Sequence, residues 1–549
     1  MIYKDTYMEW LNRADEETKR ELLGLTEEYD IEDRFYKNLE FGTAGLRGIM
    51  GAGTNRMNRY TVAKATAGLA AYLKDKFQGE LARGVVIAYD SRNHSKDFAK
   101  EAAAVLTAAA IPVRLFKELE PIPVLSFAVK HFSAIAGIVI TASHNSSEYN
   151  GYKVYGPDGG QLVPKDADIL TAYVAAVSDV FAVKDKLNEK YLTWLNQELV
   201  DLFIDTIYRQ SYFKGNPPPL SIVYTPIHGS GCVPVQKVLR KAGFTDVHIV
   251  KEQERPDGNF PTVSAPNPEN EDALALGVSL AKEVEADLVI GTDPDSDRVG
   301  CAVRGKDGFK LISGNQMGAL LTYFLCLTRK EKLTPASTMV KTVVTGELGA
   351  EIAKSFSVQV VETLTGFKYI GEKISAWKEK TTHDFLLGYE ESYGYLIGTH
   401  AQDKDAVVSA MMISEMAAYF QKEGKTLYDV LCDLYETYGF YYDKTTSYTL
   451  KGMEGLTKIQ DIMKKLRQVD VTDIIPGISA VTDFVTGVGD LPKENVLKYT
   501  LKEGGWMAVR PSGTEPKIKI YYSLKGKNAA DALQKFEDYK GKWERALGL

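Results

Sequence analysis

Ala286-Asp287-Leu288-Val289-Ile290-Gly291-Thr292-Asp293-Pro294-Asp295-Ser296-Asp297-Arg298 is an apolar, β-branched run that stops in three carboxylates at every second position. The part from Ala286 to Thr292 predicts a strand, and the helix-period run Glu271 to Glu285 precedes it. Helix and strand in alternation argue for parallel α/β layers, in which ligand chemistry collects beyond the C-terminal ends of the strands.

The same rhythm extends in both directions. Strand-like runs at Gly84 to Tyr89 and Gly137 to Thr141 flank a stretch opened by Ser95 and rich in alanine to Ala110, which predicts a capped helix packed through small residues. Ser221 to Thr225 is followed by a helix near Val233 to Ala242. Met339 to Thr345 precedes a helix from Glu347, and Phe385 to Gly388 leads to a helix from Ala406 to Gln421. Three βα-rich segments in series predict three related domains. Asn216-Pro217-Pro218-Pro219 is stiff and cannot continue a helix, so it predicts the linker after the first. From about Tyr442 the pattern turns to polar segments, a strand-loop-strand from Trp506 to Tyr522 and a helix from Ala529 to Leu547, which predicts a smaller α+β domain.

A chain of 549 residues is long enough for three or four domains. Lys and Arg number 66 against 73 Asp and Glu, the sequence pI is near 5.7, and there is no long basic block to grip nucleic acid. The four cysteines form no CxxC pair, which suits a reducing compartment. The first 25 residues are amphipathic and charged without an apolar core, and the apolar stretch Gly318 to Thr328 is far shorter than the roughly 20 residues that cross a bilayer. A cytoplasmic protein with neither a nucleic-acid nor a membrane partner is expected.

The three carboxylates after the strand decide the chemistry. In an extended chain Asp293, Asp295 and Asp297 would sit roughly 6.8 Å apart in succession, too far to share a hard cation at about 2.1 Å. The segment must therefore curl, and a cation would offset the repulsion. An EF-hand needs Gly at its sixth position and Glu at its twelfth, where this chain has Arg298 and Arg304. Mg²⁺ facing a phosphate fits better, with Arg298 available to the phosphate oxygens. A solvated acidic turn is the alternative.

Thr141-Ala142-Ser143-His144-Asn145 also follows an apolar strand, and Ser143 is a candidate nucleophile there. It lies outside any GxSxG elbow. In isolation the run is more simply a turn capped by Ser143 and Asn145. Lys153, just downstream, could steer a phosphate or move a proton. Arg510-Pro511-Ser512-Gly513-Thr514-Glu515-Pro516-Lys517 combines a forked cation with hydroxyls and approachable backbone amides, the composition of an anion nest; a plain hairpin turn would not need the added Arg and Lys. Gly388-Tyr389-Glu390-Glu391-Ser392, with Gly366, Lys368 and Lys404 nearby in sequence, pairs acceptors with aromatic surface as a sugar ring requires, although paired Glu residues in a loop are more often merely solvated. Gly424-Lys425-Thr426 lacks the first glycine of a P-loop, and the glycines from Gly48 to Gly53 follow no clear strand.

Together with Phe41-Gly42-Thr43-Ala44-Gly45-Leu46-Arg47-Gly48, these loops stand in one order, and the sequence resembles the α-D-phosphohexomutase superfamily, in its phosphoglucomutase/phosphomannomutase family, over nearly the whole chain. The resemblance implies an α/β fold of four domains around a central cleft, three related α/β mixed-sheet domains and a smaller C-terminal α+β domain. The expected limits are 1–212 for the phosphoserine-bearing domain, 213–314 for the metal-binding domain, 315–441 for the sugar-binding domain and 442–549 for the phosphate-binding domain. It implies that Ser143 carries the phosphoryl group and, with Asp293, Asp295 and Asp297, holds one Mg²⁺ per chain. Arg47, Lys153, His144 and Lys404 complete the catalytic set. Glu390, Ser392, Gly366, Lys368 and Arg298 bind substrate, and Arg510, Ser512, Gly513 and Thr514 hold the distal phosphate. Two departures stand out: Ser146-Ser147 replaces the prolines that usually follow Ser-His-Asn, and Gly394 stands where one branch carries a histidine.

The implied reaction is reversible interconversion of α-D-glucose 1-phosphate and D-glucose 6-phosphate, an isomerase activity with glucose 1,6-bisphosphate as intermediate and primer. Its partner is a hexose phosphate, and the chain is expected as a monomer or weak homodimer. Mannose or pentose phosphates are alternatives within the family. A metal-dependent sugar phosphatase or a non-catalytic sugar-phosphate sensor is the alternative outside it.

Overall fold

Six strands of the N-terminal third, β1 (Leu46–Ile49), β2 (Val85–Tyr89), β3 (Val113–Phe116), β4 (Ala136–Ile140), β5 (Tyr149–Tyr155) and β6 (Leu192–Leu195), form one sheet in the order β1-β5-β4-β2-β3-β6. The pairs β2–β3, β2–β4 and β3–β6 are parallel, and β5 runs antiparallel to β1 and β4, so the sheet is mixed. Every residue of β2 and β4 is buried, as the continuous apolar runs require in a sheet covered on both faces. The helix Ser95–Ala108 packs Ala99, Ala102, Ala103 and Leu106 into the core below. Ser95 is not its cap. His94 holds that position at φ +62 without a side-chain bond, and the Ser95 hydroxyl instead donates to buried Asp90 over 2.7 Å.

The computed structural model describes residues 2–42, 45–450, 452–512 and 517–548. They divide into two compact units, Met1–Ile312 with Ile370–Thr381 and Tyr393–Lys422, and Ser313–Tyr369 with Thr382–Ser392 and Glu423–Leu549.

In the first unit a second mixed sheet is built from β7 (Ile222–Thr225), β8 (Val247–Ile249), β9 (Leu288–Thr292), β10 (Val299–Gly305) and β11 (Gly308–Ile312), in the order β11-β10-β9-β7-β8. Strand β7 is parallel to β8 and β9, while β10 is antiparallel to β9 and β11. Strands β4 and β9, which carry the Ser143 and Asp293 loops, are thus central strands of neighbouring sheets. Three short helices, Ile2–Arg13, Glu16–Leu23 and Glu28–Phe35, close a satellite core in which Trp10 meets Phe35 and Tyr60 edge to face.

In the second unit β12 (Ser337–Thr342) is parallel to both β13 (Gln359–Thr363) and β14 (Asp384–Glu390). Strand β15 (Gly394–Ile397) belongs to the first unit. The C-terminal sheet of β16 (Phe440–Thr449), β17 (Ile478–Asp483), β18 (Leu497–Leu501), β19 (Gly505–Pro511) and β20 (Lys517–Gly526) is antiparallel in the order β16-β20-β19-β18-β17. Helices Gly452–Gln468 and Ala529–Leu547 contribute to its core, where Trp543 is fully buried. Strand β16 reads as polar because it is an edge strand whose residues are mostly half-buried or exposed.

Candidate active site

Beyond the end of β4 the chain turns sharply: Ser143 holds a left-handed backbone at φ +53, and its amide donates to Thr141 Oγ1 over 2.8 Å. The Ser143 hydroxyl, buried at 3% exposure, donates to Asp293 Oδ2 over 2.9 Å and lies 3.1 Å from His144 Nδ1. It therefore faces the carboxylate loop and caps no local turn. Burial, then the cations of Arg298 and Arg47, push the His144 imidazole well below its usual range. With its proton on Nδ1, neutral His144 would donate to Ser143 Oγ while Oγ donates onward.

Beyond β9 the chain curls as the spacing demands. Asp293 Oδ1 accepts the amides of Asp297 and Arg298 at 3.2 and 3.0 Å, and Ser296 stands at φ +50. One oxygen from each of Asp293, Asp295 and Asp297 lies within 4.8 Å of the others, all three side chains being buried. Burial and mutual repulsion raise Asp293. Burial also raises Asp297, against the pull of Lys404. Asp295 is held low: burial alone would raise it, but Lys153, with Nζ 3.1 Å from Oδ2, the hydrogen bond with Asp293 and the charge of Lys404 together outweigh that. Thr141 Oγ1 donates to the same oxygen over 3.0 Å. Lys404 Nζ stands 3.1 Å from Asp297 Oδ2 and 3.4 Å from Asp403 Oδ1.

The donors fit a hard cation. They are all oxygens, the octahedral spacing of ligands around Mg²⁺ is about 3.0–4.2 Å, and the buried atoms Asp295 Oδ1 and Asp297 Oδ1 have no hydrogen-bond partner among the described residues. A second loop braces the carboxylates from behind. Ser230 donates through both its amide and its hydroxyl to the carbonyl of Pro294, at 2.8 and 2.7 Å. Ile227 and His228 both take positive φ, +45 and +59. A Cβ on Gly229 would meet Pro294 Cα at 2.6 Å, so only glycine lets the loops lie this close.

Arg47 is exposed on β1 and donates from Nη1 to Asn145 Oδ1 over 3.1 Å. Arg298 Nε is 3.8 Å from Asp297 Oδ1. The first unit thus brings together Ser143, His144, Arg47, Lys153, Arg298, Lys404 and the three aspartates.

The second unit holds the remaining residues. Glu390 Oε1 accepts the amide of Gly366 over 2.9 Å, so the end of β14 meets the turn before the helix Phe367–Lys380. Burial, then Glu390, push the neighbouring Glu391 carboxyl up to about 7, and it accepts from Thr345 Oγ1 over 3.1 Å. Lys368 Nζ lies 5.3 Å from the Tyr369 ring centre, and Ser392 is half-buried. Arg510 Nε is 3.6 Å from Glu494 Oε1, and the Ser512 amide donates to the Lys517 carbonyl over 2.8 Å. Burial, then the charge of Glu391, push the Tyr521 phenol up, with Arg510 opposing and Glu390 adding to the rise. Gly513 and Thr514 lie outside the described residues, as do Thr43 and Ala44.

Four family models match in order: phosphoglucomutase/phosphomannomutase alpha/beta/alpha domain I over residues 38–180, domain II over 201–307, domain III over 313–438 and the C-terminal domain over 453–538. A phosphoglucomutase of Staphylococcus saprophyticus is 34% identical over 546 residues, 96% of this chain and 98% of its own. The chain belongs to the phosphoglucomutase/phosphomannomutase family. A second relative of that name, from Staphylococcus haemolyticus, is 38% identical over 92% of this chain and 94% of its own. Among solved structures, parafusin (phosphoglucomutase) of Paramecium in its open form aligns with a TM-score of 0.69 at 16% identity, over 93% of this chain and 96% of that one. A family protein of Burkholderia thailandensis aligns at 0.68 and 17%, over 92% and 97%. These likenesses show the fold: three α/β/α domains and a C-terminal domain.

Within domain I of the family, sequence reasoning missed Asp90 and Arg92. The Arg92 guanidinium, fully buried, binds the carbonyls of Ser143, Asn145, Ser146 and Tyr149, and Asp90 stands 3.5 Å behind it. Their signal was a polar run, Asp90-Ser91-Arg92-Asn93, at the end of a buried strand. Tyr155, whose hydroxyl donates to Asp403 over 2.8 Å, and the Thr225–Gly231 brace were also missed. No helix among the described residues is long and apolar enough to cross a membrane.

Proposed function

We propose that this member of the family interconverts α-D-glucose 1-phosphate and D-glucose 6-phosphate through a phosphoserine at residue 143. The observation that carries the reading is the 2.9 Å contact of Ser143 Oγ with Asp293, which joins a buried hydroxyl to a buried three-carboxylate site. Near-full-length similarity to proteins named phosphoglucomutase supports glucose as the sugar.

Phosphorylated Ser143 gives its phosphoryl group to O6 of glucose 1-phosphate; the P–Oγ bond breaks, the P–O6 bond forms, and the O6 proton passes to Lys404 Nζ in its neutral form. The product is glucose 1,6-bisphosphate, the species that also primes the enzyme. After the sugar turns end for end, the 1-phosphoryl passes back to Ser143 Oγ and glucose 6-phosphate departs. Asp293, Asp295 and Asp297, with Ser143, are suited to hold one Mg²⁺ per chain, which when bound neutralises charge on the phosphoryl oxygens. Arg47, Arg298 and Lys153 add fixed positive charge where it develops. In the second transfer Lys404 Nζ returns that proton to the departing O1, and the steps run in reverse in the opposite direction, while His144 orients Oγ. Glu390, Ser392, Gly366 and Lys368 grip the sugar hydroxyls. Arg510 and Ser512, with Gly513 and Thr514, take whichever phosphate is not reacting.

The domain limits 1–212, 213–314, 315–441 and 442–549, set around a central cleft, are part of the proposal; the order of the four family models supports the succession of domains, although the domain II match begins at residue 201, inside the first of these limits. So are a monomer or weak homodimer and a cytoplasmic setting. The test is turnover of glucose 1-phosphate with a trace of glucose 1,6-bisphosphate, following glucose 6-phosphate and inorganic phosphate together. Glucose 6-phosphate without matching phosphate release is expected, and one phosphate released per turnover would make the protein a phosphatase. Comparing kcat/KM for glucose, mannose and pentose phosphates tests the sugar, and a pentose preference would overturn glucose.

A further inference from the structure

Gly394 opens β15 in the first unit, and its φ is not positive, so the backbone does not require glycine there. The strand is tied to the carboxylate loop on both sides of this point. The amide of Val299 donates to the Tyr393 carbonyl over 3.1 Å, and Gly394 bridges Arg298. The chain then returns: the Asp405 amide donates to the Tyr395 carbonyl over 2.8 Å, and the Ala406 amide to the Ser296 carbonyl over 3.1 Å. This return sets Lys404 beside β15, and its four-carbon stem runs across Gly394. A Cβ at residue 394 would lie 2.0 Å from Lys404 Cδ, 2.7 Å from Cγ and 3.2 Å from Cε. Ordinary carbon–carbon contact is about 3.5–4.0 Å, so even a methyl group would drive the stem aside by more than its own slack. All of β15 is buried, and the Lys404 side chain is only 12% exposed, which leaves the stem little other room.

We propose that Gly394 is a positioning residue: its bare Cα is the opening through which the Lys404 ammonium reaches Asp297 and Asp403. Space is the reason for glycine at this position, and residue 394 controls what residue 404 can do. The functional part of the proposal rests on the assignment of Lys404 to the reaction made above. A side chain at 394 moves Nζ off its 3.1 Å contact with Asp297, and misplacing a reacting group by about 1 Å costs up to roughly a hundredfold in rate.

The test compares the parent protein with Gly394→Ala, Lys404→Ala and the double variant in kcat, KM, Tm and the Kd for Mn²⁺ by calorimetry on metal-stripped protein. Gly394→Ala is expected to lower kcat by roughly tenfold to a hundredfold with KM and Tm little changed. Lys404→Ala is expected to do the same, and the double variant to match Lys404→Ala, because with the stem gone the methyl group has nothing to displace. An ammonium beside the triplet opposes a divalent ion, so Mn²⁺ binding should tighten to the same extent in all three variants. Parent kcat and Mn²⁺ affinity in Gly394→Ala would overturn the proposal, and so would an equal further loss when Gly394→Ala is added to Lys404→Ala. Full kcat in Lys404→Ala would instead remove Lys404 from the reaction. In that case equal Mn²⁺ shifts in Gly394→Ala and Lys404→Ala would still uphold the positioning role, and unequal shifts would end it.

Discussion

Arg92 Nη2 donates to the carbonyl oxygen of Ser143 over 2.5 Å. The same planar cation reaches the carbonyls of Ser146 and Tyr149 at 2.8 and 3.0 Å, lies 5.0 Å from the centre of the Phe260 ring, and is backed by Asp90. One side chain thus fixes the whole turn that aims Ser143 at the carboxylates. Lysine offers a point charge in place of a fork, so Arg92→Lys should lower kcat about tenfold or more with unchanged far-UV circular dichroism. Parent kcat in that variant would show that the turn holds its shape without the fork.

Asp295 joins the two halves of the site, with one oxygen on Lys153 and Thr141 and the other buried without a hydrogen-bond partner among the described residues. Asp295→Asn removes a charge from the donor set while keeping its shape. The Mg²⁺ concentration for half-maximal activity should rise about tenfold or more, and an unchanged metal titration curve would place the ion elsewhere.

In the second unit Lys341, 1% exposed, bonds Glu347 at 2.8 Å, Glu362 at 3.0 Å and the Thr345 carbonyl at 2.9 Å. Lys498 reaches Glu362 at 3.0 Å, and the Trp506 indole donates to Glu347 over 2.8 Å. Strands β12 and β13 are thereby joined to the C-terminal sheet by a charge network centred on the buried Lys341 ammonium, whose Glu347 and Glu362 partners are half-buried. Removing one partner of such a network strands the others, at roughly 3–5 kcal/mol. Lys341→Met should accordingly lower the unfolding midpoint by a clear margin, and adding Glu362→Gln should recover part of the loss. A midpoint equal to the parent's would mean that these charges do not tie the sheets together.

Asp443 is half-buried on β16, with Ser523 as its hydrogen-bonding neighbour, and burial of its carboxyl pushes it up to about 6. The unfolded value is near 3.9. A raised carboxyl pKa means that the folded protein binds the proton more tightly. This stabilising contribution is fully present below about pH 4 and is lost as pH rises through about 6. Asp443→Asn removes the titration. The variant should be more stable than the parent near pH 8 by about 2–3 kcal/mol, because each tenfold difference in proton affinity between the folded and unfolded chain is worth about 1.4 kcal/mol. The gap should close toward pH 4. Urea midpoints at the two ends of this range check it, and a pH-independent difference would contradict the assignment.

What the sequence disclosed follows from where the information is local. The strands ending at Ile140 and Thr292 were legible because covered strands need unbroken β-branched runs, and the convergence of the aspartates because three carboxylates at alternate positions must curl to come together. Arg92 was not legible. Its partners lie 51 to 57 residues away and are backbone carbonyls, so no side-chain pattern marks them. The fit of Lys404 over Gly394 likewise exists only once β15 pairs beside the carboxylate loop. Strand β16 escaped because Lys, Thr and Ser suit an edge strand as well as a loop.

The central claim is that Ser143 carries a phosphoryl group and passes it on. Peptide mass spectrometry after incubation with glucose 1,6-bisphosphate tests it most directly, with a chase of excess glucose 1-phosphate. One phosphate on Ser143, absent from Ser143→Ala and turned over during the chase, is the predicted result. No phosphate at Ser143, or one that the chase leaves in place while glucose 6-phosphate accumulates, would contradict it.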